Sequence, residues 1–369
     1  MSDTLTSLGA IAAFHRRKFS LPVIAVTGSN GKTTTKEMIA HILSGLGPVL
    51  KNEGTKNNQI GVPLTLLALE AHHRFAVLEL GMSDRGEIGT LSRMAAPATG
   101  VVTNIGPVHL AFLKDLETVF ACKMEILEGL EKGGHLILNG EDPYLKKVTA
   151  PLHRITFFGK GSSFSATEIH EKEGQIFFRF NHSENSLPLL GEQHVANALA
   201  AIAVATLYGV EPSFSIKALK QFKGLGGRMT LKRIQGIDFI DDTYNANPES
   251  TRCALESFGK MPARGKRIFV MGDMLELGDQ APTYHAAFGE KVVHSGIDLF
   301  VTVGELSRWA HVRASTLGMN SHRTAHFQTP QEAAKFLAEE AKSGDRILVK
   351  GSRGMKMEEV IRIFEALKG

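Results

Sequence analysis

Val23-Ile24-Ala25-Val26-Thr27 runs directly into Gly28-Ser29-Asn30-Gly31-Lys32-Thr33-Thr34-Thr35. An apolar, β-branched run that ends in a glycine-bearing loop and then a helix start leaves few folds open. The strand belongs inside a helix-covered, mostly parallel sheet. The backbone N–H groups of such a loop, together with the positive end of the following helix, suit a polyphosphate. In this pattern Gly28, Ser29, Asn30, Gly31, Lys32, Thr33 and Thr34 form the cradle, Lys32 lies along the β and γ phosphates, and the Thr33 hydroxyl ligates Mg²⁺. The strict motif asks for glycine where Val26 stands, so the strand, loop and helix context carries part of the reading. A polar turn accounts for the two glycines but not for Gly-Lys-Thr at a helix start.

The same alternation continues along the chain. A short amphipathic segment at 8–14 is followed by strands expected at 21–26, 75–80, 100–105 and 135–139, with helices at 33–46 and 118–130. Short alternating runs between 164 and 190, such as Gln175-Ile176-Phe177-Phe178-Arg179-Phe180, predict a small antiparallel patch before a helix at 195–208. Gly224-Leu225-Gly226-Gly227 reads as a hinge, dividing the chain into domains 1–225 and 226–369. Beyond it, strands at 229–234, 239–242, 267–272, 299–304 and 346–351 alternate with helices at 248–258, 281–294, 330–342 and 357–367. The expected fold class is α/β: a P-loop domain with a mostly parallel sheet and a small antiparallel patch, followed by a Rossmann-like domain. A chain of 369 residues suits more than one core.

Composition narrows the partners. Forty-two Lys plus Arg against 38 Asp plus Glu leave a net charge of +4, and no basic tract is long enough to follow a nucleic-acid backbone. No nucleic-acid partner is expected. The most apolar later stretch, 198–208, is about half of the ~20 residues a membrane helix needs, so no membrane insertion is expected. With only Cys122 and Cys253, neither a disulfide framework nor a CxxC metal pair can be built, which fits the cytoplasm. The opening Met1-Ser2-Asp3-Thr4 carries an acid where a secretory leader carries a base, so no export signal is expected. Glu79 ends an apolar strand, the place from which an acid reaches a metal beside a nucleotide; a solvent-facing strand end is the plainer alternative. Trp309 and the phenylalanines show no stacking pattern and are expected in the core.

The string from Thr27 to Glu37 resembles the nucleotide loop of the Mur ligases, the ATP-dependent amide-forming enzymes of peptidoglycan precursor synthesis. Further matches follow in the family's order: Asn57-Asn58 before Ile60-Gly61-Val62-Pro63, Glu79 in Leu78-Glu79-Leu80-Gly81, Thr103-Asn104-Ile105 leading to His109-Leu110, and Lys123 in Cys122-Lys123-Met124-Glu125. Later come Gly227-Arg228, then Asp241-Asp242-Thr243-Tyr244-Asn245-Ala246-Asn247-Pro248, Gly272-Asp273-Met274-Leu275-Glu276-Leu277-Gly278 and Lys350-Gly351-Ser352-Arg353-Gly354. Residues 241–248 and 272–278 resemble the branch that adds D-alanyl-D-alanine to UDP-N-acetylmuramoyl-tripeptide.

The resemblance implies that ATP converts the substrate carboxylate to an acyl phosphate, which the D-alanyl-D-alanine amine attacks. It implies a catalytic set of Lys32, Glu79, His109, Lys123 and Arg228, and two Mg²⁺ ions held by Thr33, Glu79, His109 and a carbamylated Lys123. Carbamylation needs a neutral amine, which cationic neighbours favour; read alone, Lys123 is an ordinary exposed lysine on a helix. Arg228 is expected to reach the γ phosphate on domain closure, Asn197 to contact adenine, and Asp242 to accept from the ribose hydroxyls. Asn57, Asn58, Asn245, Asn247, Lys350 and Arg353 are expected at the substrates. There are two departures. Gln193-His194 stand where many relatives carry His-Asn, and the family's separate uridine-binding domain is expected outside this chain. Two alternatives remain at this point: a Mur-like ligase with another acceptor, such as a glutamate- or folate-directed enzyme, and a nucleotide-binding subunit inactive without a separate uridine-binding partner.

Overall fold

The computed structural model describes residues 3–54, 56–108, 110–172 and 174–368. Six strands, β1 (Val23–Thr27), β2 (Val49–Lys51), β3 (Phe75–Glu79), β4 (Thr99–Val102), β5 (His135–Asn139) and β6 (Arg154–Phe158), form a wholly parallel sheet in the order β2-β3-β1-β4-β5-β6. A second, antiparallel sheet joins β7 (Thr167–Lys172), β8 (Gln175–Phe180) and β9 (Ser183–Leu187). The third sheet orders β10 (Thr230–Ile234), β11 (Ile237–Asp242), β12 (Arg267–Gly272), β13 (Leu299–Val303), β14 (Thr324–Phe327) and β15 (Arg346–Lys350) as β10-β11-β15-β12-β13-β14. It is parallel except for the β10–β11 hairpin at its edge.

The helices are α1 (Thr4–Arg16), α2 (Lys32–Leu43), α3 (Gly61–Leu67), α4 (Glu87–Ala95), α5 (Leu110–Leu113), α6 (Leu116–Met124), α7 (Gln193–Leu207) and α8 (Pro212–Leu219) in the first half. They are followed by α9 (Pro248–Lys260), α10 (Ala281–Val293), α11 (Arg308–Thr316), α12 (Pro330–Glu340) and α13 (Glu358–Lys368). Strand β1 shows why its sequence is a continuous apolar run. Ile24 and Val26 enter the core under α2, α7 and α8, while Val23 and Ala25 enter the opposite core with α1, α3 and α4. The third sheet is covered in the same way, by α9 to α11 on one face and α12 and α13 on the other. Helix starts follow local chemistry. Asn247 before Pro248 and Thr329 before Pro330 each accept from the backbone N–H three residues on, in reciprocal capping boxes.

Several boundaries differ from the sequence reading. Helix α1 covers 4–16 rather than 8–14, because Asp3 accepts from the N–H groups of Leu5 and Thr6 and starts it earlier. Strands β2, β6 and β14, with helices α3, α4, α8 and α11, carried no expectation. β2 and β14 are short edge strands, half-buried over most of their length, and leave no apolar run to detect. Trp309 is 52% exposed on α11 and not in the core, and Phe14 and Phe214 are also exposed.

Arg16 ties α1 to the domain. Buried, it donates from Nε to Ala95 O at 3.0 Å, from one terminal nitrogen to Phe19 O at 2.6 Å, and from the other to Leu21 O at 3.2 Å. Arg16→Ala should strand these carbonyls and cost about 3 kcal/mol, read as a lower urea midpoint at unchanged slope. Among the described residues no helix is long and apolar enough to cross a membrane.

Candidate active site between the two parallel sheets

A cleft of about 1110 Å³ opens between the carboxyl ends of the first and third sheets and is lined by residues of both. In open α/β sheets this is where ligands bind.

The loop after β1 is held by the segment that follows β4. Ser29 N donates to Asn104 O at 2.9 Å, Asn30 N to Asn104 Oδ1 at 2.9 Å, and Gly106 N to Ser29 Oγ at 2.8 Å. Thr103 Oγ1 donates to Asn30 O at 2.5 Å. Gly28 (φ 138°) and Gly31 (φ 80°) leave no alternative residue, since a Cβ would overlap Thr103 Oγ1 at the first and Asn197 Oδ1 at the second. Lys32 folds back over the loop, its Nζ donating to Gly28 O at 2.9 Å and Ser29 O at 3.0 Å. Burial lowers its pKa, opposed by Glu79 and assisted by Arg228.

Glu79 is 1% exposed at the end of β3. Asn52, itself fully buried, pins both of its main-chain groups, accepting from Glu79 N at 2.9 Å and donating to Glu79 O at 3.0 Å. The carboxylate accepts from Asn57 Nδ2 at 2.8 Å through Oε1, while Oε2 is buried without a partner among the described residues. A buried, unsatisfied carboxylate oxygen is costly unless something else meets it. Thr33 Oγ1 stands at the neighbouring loop and accepts from Arg228 at 2.9 Å. Two oxygen donors beside a phosphate cradle suit Mg²⁺, which keeps several waters and takes few protein ligands. Among the described residues no three His, Cys, Asp or Glu gather into a metal-holding cluster.

Lys123 corrects the plain reading of an exposed helix lysine. It lies on α6 at 1% exposure, with no hydrogen-bond or ion-pair partner among the described residues. Burial, then the Lys32 ammonium, push its pKa well down. Burial and Lys32 thus both favour the neutral amine, the form a carbamate requires. His109 lies outside the described residues.

The third sheet supplies the opposite wall. Arg228 stacks over Tyr244 at 3.8 Å from the ring centre while holding Thr33. Asp242 is bound by Lys350 Nζ at 2.6 Å, and Lys350 also donates to Asn245 O at 3.0 Å. Burial raises the Asp242 pKa and outweighs the Lys350 pairing that opposes it. Arg353 pairs with Glu358 at 2.9 Å at the exposed rim, with its backbone N–H toward Asn245 Oδ1. Asn58 caps the start of α3, accepting from Ile60 N at 3.1 Å and Gly61 N at 2.9 Å. Asn247 caps α9 and also donates across the cleft from Nδ2 to Asn30 Oδ1 at 2.7 Å.

Asn197 accepts from Thr35 Oγ1 at 3.3 Å, and its amide nitrogen meets His194 Nδ1 at 3.3 Å. That contact makes Nδ1 the acceptor and leaves the proton on Nε2, which is buried without a partner among the described residues. His194 is held neutral, its pKa pushed down to about 4 by burial and then by Arg228. The structure thus brings to one cleft the loop residues from Ser29 to Thr34, together with Asn57, Asn58, Glu79, Asn197, Arg228, Asp242, Asn245, Asn247, Lys350 and Arg353. Gly28 and Lys123 lie behind its wall. Sequence reading missed the bracing roles of Asn52, Thr103 and Asn104, and the Asn30–Asn247 bridge.

Residues 26–205 match the Mur ligase middle domain, and residues 227–353 match the Mur ligase glutamate ligase domain. The chain belongs to the Mur ligase family. As a Mur ligase it is an ATP-dependent enzyme that forms carbon–nitrogen bonds. Among its relatives, the UDP-N-acetylmuramoyl-tripeptide–D-alanyl-D-alanine ligase of Bacillus subtilis strain 168 is 37% identical over 98% of this chain and 80% of the relative. The ligase of the same description from Escherichia coli K12 is 34% identical over 99% of this chain and 81% of the relative. A crystal structure of MurF from Acinetobacter baumannii superposes with a TM-score of 0.91 at 35% identity, covering 99% of this Mur ligase and 81% of that chain. MurF ligase from Thermotoga maritima in complex with ADP gives 0.89 at 29% identity, covering 100% and 84%.

The Asn30–Asn247 bridge has a measurable role in this Mur ligase. Asn247→Ala should cost about 1 kcal/mol of stability as a lost cap and lower kcat about tenfold by loosening the facing walls. Ser250→Ala, which weakens the same capping box but spares the bridge, should reproduce the first loss and not the second; thermal melts and steady-state rates separate them.

Proposed function

We propose that this Mur ligase joins D-alanyl-D-alanine to the terminal carboxylate of UDP-N-acetylmuramoyl-tripeptide in peptidoglycan precursor synthesis, with the chain dividing into an ATP-binding part, 1–225, and an amine-delivering part, 226–369. The observation that supports this most is the convergence of Lys32, Glu79 and Lys123 from the first sheet with Arg228 from beyond the hinge on one phosphate cradle. Joining a carboxylate to an amine in water needs an activated acyl group. A carboxylate oxygen attacks the γ phosphorus, the bond to the ADP oxygen breaks, and the deprotonated amine then displaces phosphate from the acyl carbon.

Both steps gather negative charge on oxygen, so positioned cations matter most. Lys32, held over the loop, would turn to the β and γ phosphates, and Arg228, stacked on Tyr244 and bonded to Thr33, would meet the transferring group. Thr33 and the unpaired oxygen of Glu79 would hold Mg²⁺, with a carbamylated Lys123 and His109 toward a second ion; bound there, the metals neutralise phosphoryl oxygens. Asn197 and the Nε2–H of His194 face the nucleotide, and Asp242 the ribose. Asn57 orients Glu79, while Asn58, Asn245, Asn247, Lys350 and Arg353 shape the substrate walls. The nucleotide-linked substrates fit a cytoplasmic reaction. Incubation with ATP, the UDP-tripeptide and D-alanyl-D-alanine should yield the UDP-pentapeptide by mass spectrometry, with none when any one is omitted; the same product without ATP would refute the reading.

A further inference from the structure

The Gly272–Gly278 string of the third sheet has so far no role, yet it reaches across the cleft. Leaving β12, it lines the cleft with Leu275, Glu276 and Leu277 and then touches the first sheet's helix α5. Glu276 O accepts from Ala111 N at 3.2 Å. Glu276 and Gly278 both take left-handed backbone, with φ of 62° and 57°, and a Cβ on Gly278 would lie 3.2 Å from Ala111 Cα and 3.6 Å from Ala111 Cβ. The turn is therefore shaped to bring its backbone flat against α5. Helix α5 leads through Asp115, the cap of α6, directly to Lys123.

The loop is anchored from behind. Met274 N donates to His285 Nε2 at 2.9 Å, Asp273 accepts from Ser307 N at 2.7 Å, and Leu275 N donates to Ser352 Oγ at 2.9 Å. Ser352 is buried and in turn donates to Ala246 O at 3.1 Å, one residue before the Asn247 that bridges to Asn30. One hydroxyl thus stitches together two of the points at which the third sheet's lobe touches the first.

We propose that residues 273–278 form a clasp between the two lobes, with Gly278 and Ser352 as positioning residues, that seats α5 and the helix bearing Lys123 only when the lobes are shut. The clasp rests on the functional reading above for its consequence, but its geometry stands on the contact alone. It makes phosphoryl transfer contingent on the arrival of the amine-delivering lobe, which protects the acyl phosphate from premature hydrolysis.

The test uses Gly278→Asn, because asparagine tolerates left-handed backbone while its side chain crowds Ala111. Small-angle scattering with ADP and Mg²⁺ should show a compact wild type and a larger radius of gyration for the variant. Melting temperature should be unchanged, kcat should fall about tenfold, and ADP affinity should fall as well, because Arg228 and Asp242 of the second lobe no longer reach the nucleotide. Ser352→Ala should also lower kcat, and its effect should be less than additive with Gly278→Asn. Equal radii for wild type and Gly278→Asn would overturn the clasp. Scattering does not depend on turnover, so a wild type that compacts but forms no amide would refute the functional reading and leave the clasp standing.

Discussion

Lys123→Met is expected to abolish most turnover, by at least about a hundredfold, while making the protein more stable below the pKa of an unfolded lysine. The two effects have one cause. A buried amine near Lys32 is poorly suited to carrying charge, and its pKa is depressed by burial and then by Lys32, with Glu79 and Glu125 opposing. The sign follows from linkage: the pKa is lower in the folded state, so the unfolded lysine holds its proton more firmly, and the native state is penalised below the unfolded value near 10.4 and gains stability as pH rises toward it. Methionine keeps the length and removes that penalty. Structural lysines behave the other way, losing stability when replaced. A carbamate on Lys123 would convert the same position into an anion beside Lys32, so depletion of bicarbonate should lower the wild-type rate and formate should partly restore Lys123→Ala. Full activity in Lys123→Met, or a less stable variant, would contradict the assignment; urea titrations at pH 6 and 9 beside steady-state rates give both readings.

Lys32→Ala is expected to have an effect of similar size through a different route. Its ammonium closes the loop on itself through Gly28 O and Ser29 O, ready to exchange those carbonyls for phosphate oxygens. Removing it takes a point charge from the place where charge develops, which should lower kcat about a thousandfold. The loop backbone is independently fixed by Ser29, Asn104 and Thr103, so ADP should still bind, with loss of the order of tenfold in affinity, and the fold should be intact by circular dichroism. Equal losses in ADP affinity and kcat would mean that Lys32 contributes binding alone.

What was legible in the sequence follows from where each signal resides. Strands β1, β3, β5, β12, β13 and β15 are buried on both faces and leave uninterrupted apolar runs, so they were found nearly to the residue. Edge strands β2 and β14 have one dry face at most and are too short for periodicity to show. The phosphate loop was legible because its chemistry is local: glycines, Lys32 and Thr33 lie within a few positions. Lys123 was not legible from its own surroundings, since nothing within a helix turn says that the side chain points inward beneath Lys32 and Glu79. Asn52 and Asn104 act at a distance, pinning main-chain groups 27 and 74 positions away, and such pairings have no periodic signature. Trp309 failed for the opposite reason, because a large aromatic is usually buried and here it is not.

Oxygen tracing tests the acyl-phosphate route most directly. With ¹⁸O in the terminal carboxylate of the UDP-tripeptide, every inorganic phosphate released during amide formation should carry one ¹⁸O atom, because the oxygen that attacks the γ phosphorus departs with it. Phosphate free of label, formed at the same rate as the amide, would show that water and not the carboxylate receives the phosphoryl group, and would contradict the account.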